Sequence, residues 1–95
     1  MLDPSDIQRC RALARESDAV REIAGAVAEE TGIPVGQILG KSRSQHVAHA
    51  RQLVYFIASR QGVTPADIAR AMRRDHSTVL HGIAAETARR AEASA

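Results

Sequence analysis

In the stretch RRDHSTVLHG, residues 73 to 82, Asp75, His76, Ser77 and Thr78 stand in an unbroken row. A carboxylate, an imidazole and two hydroxyls are the tools of acid–base and nucleophilic catalysis, and histidines 46, 49, 76 and 81 are potential metal ligands. The spacing supports neither chemistry. Contiguous Asp75, His76 and Ser77 diverge around a chain segment and cannot line up as a relay, in which each group must face the next. His46 and His49 form an i, i+3 pair, but no third ligand with zinc-like spacing joins them, and no HExxH pattern occurs. Cys10 is the only cysteine, which excludes an internal disulfide and a cysteine-rich zinc site. The expectation is a protein that is not an enzyme and holds no metal or cofactor.

The same four groups suit a different task if they sit at the exposed start of a helix. A carboxylate accepts from the cytosine amino group, imidazole donates to purine N7 or O6, and hydroxyls serve either class of base, while a threonine methyl packs on that of thymine. The free N–H groups of a helix start also suit a phosphate oxygen. Which elements would present them that way?

The chain is one small domain of 95 residues with only Tyr55 and Phe56 aromatic, so its interior must be built from Ala, Val, Ile and Leu. Strand-forming runs are scarce, and the expected class is all-α. A first helix follows Asp3 and Pro4, with Ile7, Cys10, Leu13 and Ala14 on one face; past Ser17 it continues or restarts. The next segment, about 18 to 31, carries Val20, Ile23, Ala24, Val27 and Ala28 and stops at Gly32. A single turn, PVGQIL, leads to the polar loop GKSRS. Ser44 is placed to cap a helix of about 45 to 61 with the stripe Val47, Ala50, Leu53, Val54, Ile57 and Ala58, and Gly62 closes it. Thr64 as N-cap, Pro65 at N1 and Asp67 at N3 open a short helix of about 65 to 72, with Ile68, Ala69 and Met72 inward. Asp75 then caps a final helix of about 76 to 92, anchored by Val79, Leu80, Ile83 and Ala84. Short helix, tight connection, longer helix is a helix-turn-helix, spanning about 64 to 92. The reading is a single domain: a leading helix over 1–16 and a core over 17–95.

Net charge is only +2, but its distribution is uneven. Residues 1 to 30 carry seven acids and four arginines, whereas Thr31 to Ala66 contains no acid and has Lys41, Arg43, Arg51 and Arg60. An acid-free middle on a nearly balanced chain fits a surface that meets an anion, and a solvated helix face equally well.

Two blocks, GKSRSQHVAHARQ at 40–52 and DHSTVLHG at 75–82, resemble the C-terminal DNA-binding domain of the DnaA family of bacterial chromosomal replication initiators. The likeness extends loosely from about Ser17 to Arg90. It implies base contacts by Arg43 in a minor groove and by Asp75, His76 and Ser77 in the major groove. It implies backbone contacts by Lys41, Ser44, Arg51, Gln52, Thr78 and His81. The implied partner is double-stranded DNA carrying a box of the kind found at replication origins and some promoters, with a role in regulation or competition there. Where the family usually has a Gly-Gly pair before Arg-Asp-His, this chain has AMRRDH, one residue shorter and without glycine. A left-handed residue in that turn would cost roughly 1 to 2 kcal/mol. Gln45 and His49 stand where the family often has basic residues, which implies weaker phosphate affinity.

The segment GQILGKS superficially resembles a phosphate-binding loop, but only three residues separate its glycines and GIP is no strand, so no nucleotide is expected. The start MLDPSDIQRCR has no signal-peptide pattern and no segment approaches a membrane span, consistent with a cytoplasmic protein. A free-standing relative, rather than a piece of something longer, is favoured by Met1. The alternative function is a protein interaction module that docks a partner, or a second copy, through the acidic N-terminal helices.

Overall fold

The computed structural model describes residues 3–94, apart from the side chain of Leu13, so the expected place of Leu13 on the first apolar face lies outside the described residues. Among the described residues there are five helices and no strand: α1 (Pro4–Thr31), α2 (Val35–Leu39), α3 (Gln45–Arg60), α4 (Pro65–Met72) and α5 (His76–Ser94). None is long and apolar enough to cross a membrane.

The first two expected segments are one helix of 28 residues, without a restart at Ser17. Asp3 and Asp6 close a reciprocal capping box, with Asp6 N–H to Asp3 Oδ1 at 3.0 Å and Asp3 N–H to Asp6 Oδ2 at 3.3 Å. Gly32 ends α1 in the left-handed region at φ 74°, its N–H bonded to the Ala28 carbonyl. At 1.5 Å per residue α1 is about 42 Å long. Among the described side chains, burial along it begins at Val20, while Ile7, Cys10 and Ala14 of the expected first apolar face are exposed.

α3 is the hub and touches every other helix. Its Ala50, Val54, Tyr55 and Ala58 meet Val20, Ile23, Ala24 and Val27 of α1, Ile38 of α2, Ile68, Ala69 and Met72 of α4, and Val79 of α5 in one core. α4 opens as its sequence requires: Thr64 accepts from the Asp67 N–H at 3.2 Å and donates its hydroxyl proton to Asp67 Oδ2 at 2.8 Å, with Pro65 behind it. That bond, ahead of the neighbouring Arg70, holds the Asp67 carboxyl below its ordinary range.

α5 is anchored thinly. Val79 and Gly82 are its buried residues and Ile83 is partly buried; Leu80, expected inside, is 44 % exposed, and Ala84 is exposed as well. The reason is geometric: a helix lying across one face of α3 has a narrow buried stripe, and Leu80 falls one residue beyond it. Gly82 makes the contact close. A Cβ there would lie 2.6 Å from Cδ2 of the buried Tyr55 ring and 3.2 Å from Cγ of Gln52.

Gly82→Ala is therefore expected to lose about 1 to 3 kcal/mol of stability, because the buried Tyr55 ring must shift to admit the methyl group; urea unfolding of the variant beside the parent chain measures it.

Candidate nucleic-acid interface

Three residues, Arg73 to Asp75, join α4 to α5. Arg73 takes the left-handed conformation, φ 55° and ψ 48°, and is the only non-glycine with positive φ among the described residues. The turn has lost the glycine that would adopt it freely, and an arginine bears the strain. The Arg74 N–H then closes back on the Ala69 carbonyl at 2.9 Å, which ends α4 and redirects the chain.

α5 starts with the Asp75 carbonyl accepting from the Val79 N–H at 3.2 Å, so Asp75 occupies the N-cap by its backbone. Its side chain does not complete the expected cap: its carboxylate makes no hydrogen bond to the described residues. His76, Ser77 and Thr78 are all exposed. The first turn of α5 thus offers N–H groups, hydroxyls and an imidazole outward, at the positive end of the helix dipole.

The second part of the face is the 40–44 loop, and its shape depends on Arg51. Expected to grip a phosphate, Arg51 is instead 9 % exposed and turned inward. Its Nε donates to the Ile38 carbonyl at 2.8 Å, Nη1 to Ser42 at 3.0 Å, and Nη2 to both Gln37 and Gly40 at 2.9 Å. The guanidinium is consumed in collecting carbonyls from the end of α2 and the loop, where the orphan acceptors of a helix C-terminus call for a cation. Burial, and then the charge of Arg74 nearby, hold its pKa below the ordinary arginine value, and it remains charged. The segment that superficially resembled a phosphate-binding loop is thereby accounted for: it is largely α2, and it turns carbonyl oxygens toward Arg51.

Arg74 reaches the same place from the other side. Its Nη2 donates to the Gly40 carbonyl, which thus accepts from two arginines. The buried Tyr55 hydroxyl lies near both; burial pushes its pKa up, and Arg74 and Arg51 pull it partly back.

Lys41 and Arg43 are exposed on the loop. They line a concavity of about 470 Å³ with Ser42, Ala48, Arg51 and Arg74. A cleft of about 90 Å³, lined by Ala48, Arg51, Gln52, Tyr55 and Thr78, shares two of those residues. The shared Ala48 and Arg51 make the two hollows neighbours. The loop cations and Thr78 of α5 therefore line adjoining hollows.

Other expected positions differ in detail. Ser44 stands at the start of α3 but its hydroxyl caps nothing; it lies 3.3 Å from His46 Nδ1. The Gln52 amide oxygen accepts from Arg89 Nη2 at 2.7 Å, and Arg89 is in turn held by Glu86 at 2.8 Å. With its oxygen turned to Arg89, Gln52 keeps its amide NH2 as a donor, the polarity a phosphate needs. His81 is exposed one turn further along α5. His46 and His49 line a separate hollow with Glu86, and no group of three potential metal ligands occurs among the described residues. Sequence reasoning passed over Arg74, Gly82 and Arg89; of these only Gly82 carried a signal, since a glycine inside a helix marks a close approach.

In comparison with known proteins, the family model described as bacterial dnaA protein helix-turn-helix matches residues 20–85. No curated protein and no solved structure matches the chain.

Two expectations follow from the geometry. Arg73→Gly relieves the left-handed strain and is expected to stabilise the fold by about 1 kcal/mol, seen as a raised melting temperature. Arg51→Ala removes the guanidinium from four carbonyls, of which Gly40 keeps Arg74 and Gln37 keeps the Gly40 N–H, and is expected to destabilise by about 1.5 to 3 kcal/mol in urea unfolding, with Arg51→Lys recovering only part because a point charge cannot span the set.

Proposed function

Since the chain belongs to the bacterial DnaA helix-turn-helix family, a family of non-catalytic DNA-binding domains, we propose that it recognises a specific duplex box of the replication-initiator type. What supports this reading is that His76, Ser77 and Thr78 are exposed at the start of α5, and that Thr78 lines a hollow adjoining the one lined by exposed Lys41 and Arg43. In this reading the start of α5 enters the major groove, with Asp75, His76 and Ser77 at base edges and Thr78 and His81 on the backbone. Arg43 enters the adjacent minor groove. Lys41, Ser44 and the Gln52 amide meet phosphates, and Arg51 supports the loop from behind instead of touching DNA.

Binding to such a box at an origin or promoter would let the protein regulate, or compete with, other proteins that use it. A second reading is docking of a protein partner, or of a second copy, through the leading part of α1, where Ile7, Cys10 and Ala14 are exposed. The two readings differ in their response to salt.

Each phosphate neutralised by a cation such as Lys41 or Arg43 should make log K fall by about 0.9 per unit of log salt, whereas a pure interaction module shows no such slope on duplex DNA. Selection from randomised duplexes should return a defined box for the wild-type chain. His76→Ala should cost about 1 to 3 kcal/mol on that box and flatten the preference among sequences. An unchanged preference in the His76 variant removes α5 from the reading role.

A further inference from the structure

We propose that Arg74 is a positioning residue that sets the spacing between the 40–44 loop and the start of α5, and so the spacing tolerated between the two parts of the DNA site. This rests on the DNA-reading function above. The loop and α5 are each fixed to α3, the loop through Arg51 and α5 through the Gly82–Tyr55 contact. Both of those links run through the hub. Arg74 adds a direct one. It stands in the α4–α5 turn, immediately before Asp75, and its guanidinium donates to the carbonyl of Gly40, 34 residues earlier in the chain.

Three observations make this more than a chance surface contact. First, the Gly40 carbonyl is already held by Arg51, so Arg74 grips a point that cannot drift. Second, the side chain is half-buried and lines the hollow beneath Lys41 and Arg43, where its movement would move the loop. Third, Arg74 is delivered there by the left-handed Arg73, a conformation an arginine adopts only under constraint from its surroundings. The charges of Arg74 and Arg51 oppose each other across the shared acceptor, which lowers the Arg51 pKa. Removing Arg74 therefore relieves repulsion while it loses a bond, so its contribution lies in geometry more than in stability.

The test uses the full chain and the duplex that it selects from a random library. Positions read by each part are assigned as those where preference is lost in Arg43→Ala and in His76→Ala. One base pair is then inserted between the two parts, displacing them by about 3.4 Å and turning them by roughly 35°. The wild-type chain and Arg74→Lys, which keeps a donor for Gly40, should each lose about tenfold or more in affinity on insertion. Arg74→Ala should lose about threefold or less relative to its own binding to the parent box, with a melting temperature close to that of the wild type. If Arg74→Ala keeps the full spacing penalty, the proposal is overturned. It is equally overturned if that variant only reduces the salt slope by about one, the mark of a direct phosphate contact. Failure of the wild-type chain to select any duplex would instead overturn the DNA-reading function itself.

Discussion

A single guanidinium shapes the binding face. Arg51 projects from the hub helix into a ring of carbonyls from Gln37, Ile38, Gly40 and Ser42, and by doing so it ends α2 and folds the 40–44 loop back onto α3. Arginine suits this role because its donors form a rigid planar fork, several of which can be used at once, and because it stays charged when buried. The loop that carries Lys41 and Arg43 is held by this contact. Lys41 and Arg43 face outward because the backbone between them and α2 is drawn inward.

The other half of the face is held by absence of bulk. Gly82 lets α5 approach the Tyr55 ring closely enough that two buried residues, Val79 and Gly82, seat a helix of 19 residues. Thin anchoring leaves most of the α5 surface free, Leu80 included. It also leaves the first turn without a side-chain cap, and an open helix start is a donor-rich, positively polarised end suited to a polyanion. In a protein whose only task were stability, Asp75 would close that end.

Membership of the DnaA helix-turn-helix family makes the departures from its pattern informative. The turn before Asp75 is a residue shorter than expected for the family and carries Arg73 where a glycine is expected. Arg73 accepts the left-handed conformation that glycine would take, and Arg74, the arginine directly before Asp75-His76, reaches the Gly40 carbonyl. The strain of one residue is thus linked to a contact made by the next, and that contact runs between the two parts of the proposed interface.

What the sequence determined by itself is whatever acts within a turn or two of helix. The Asp3–Pro4 start, the Gly32 stop, the Thr64–Pro65–Asp67 opening of α4 and the span of the helix-turn-helix could all be read from residue type and spacing, because caps and apolar stripes bond to neighbours four residues away or fewer. The exposed row at 76 to 78 was legible for the same reason. Only the tertiary structure decided the partners of Arg51 and Arg74, which lie 9 to 14 and 34 residues away along the chain. A basic residue on a helix gives no local sign of whether its charge meets solvent, DNA or buried carbonyls. The burial of Leu80 and the side-chain bonds of the caps at Ser44 and Asp75 differ on similar grounds, although both caps stand where expected: which face of α5 meets α3, and whether a short side chain turns back to its own backbone, depends on how the helices sit together. Sequence wrote the helices and their ends, and packing chose which of their polar groups were spent inside and which were left to face outward.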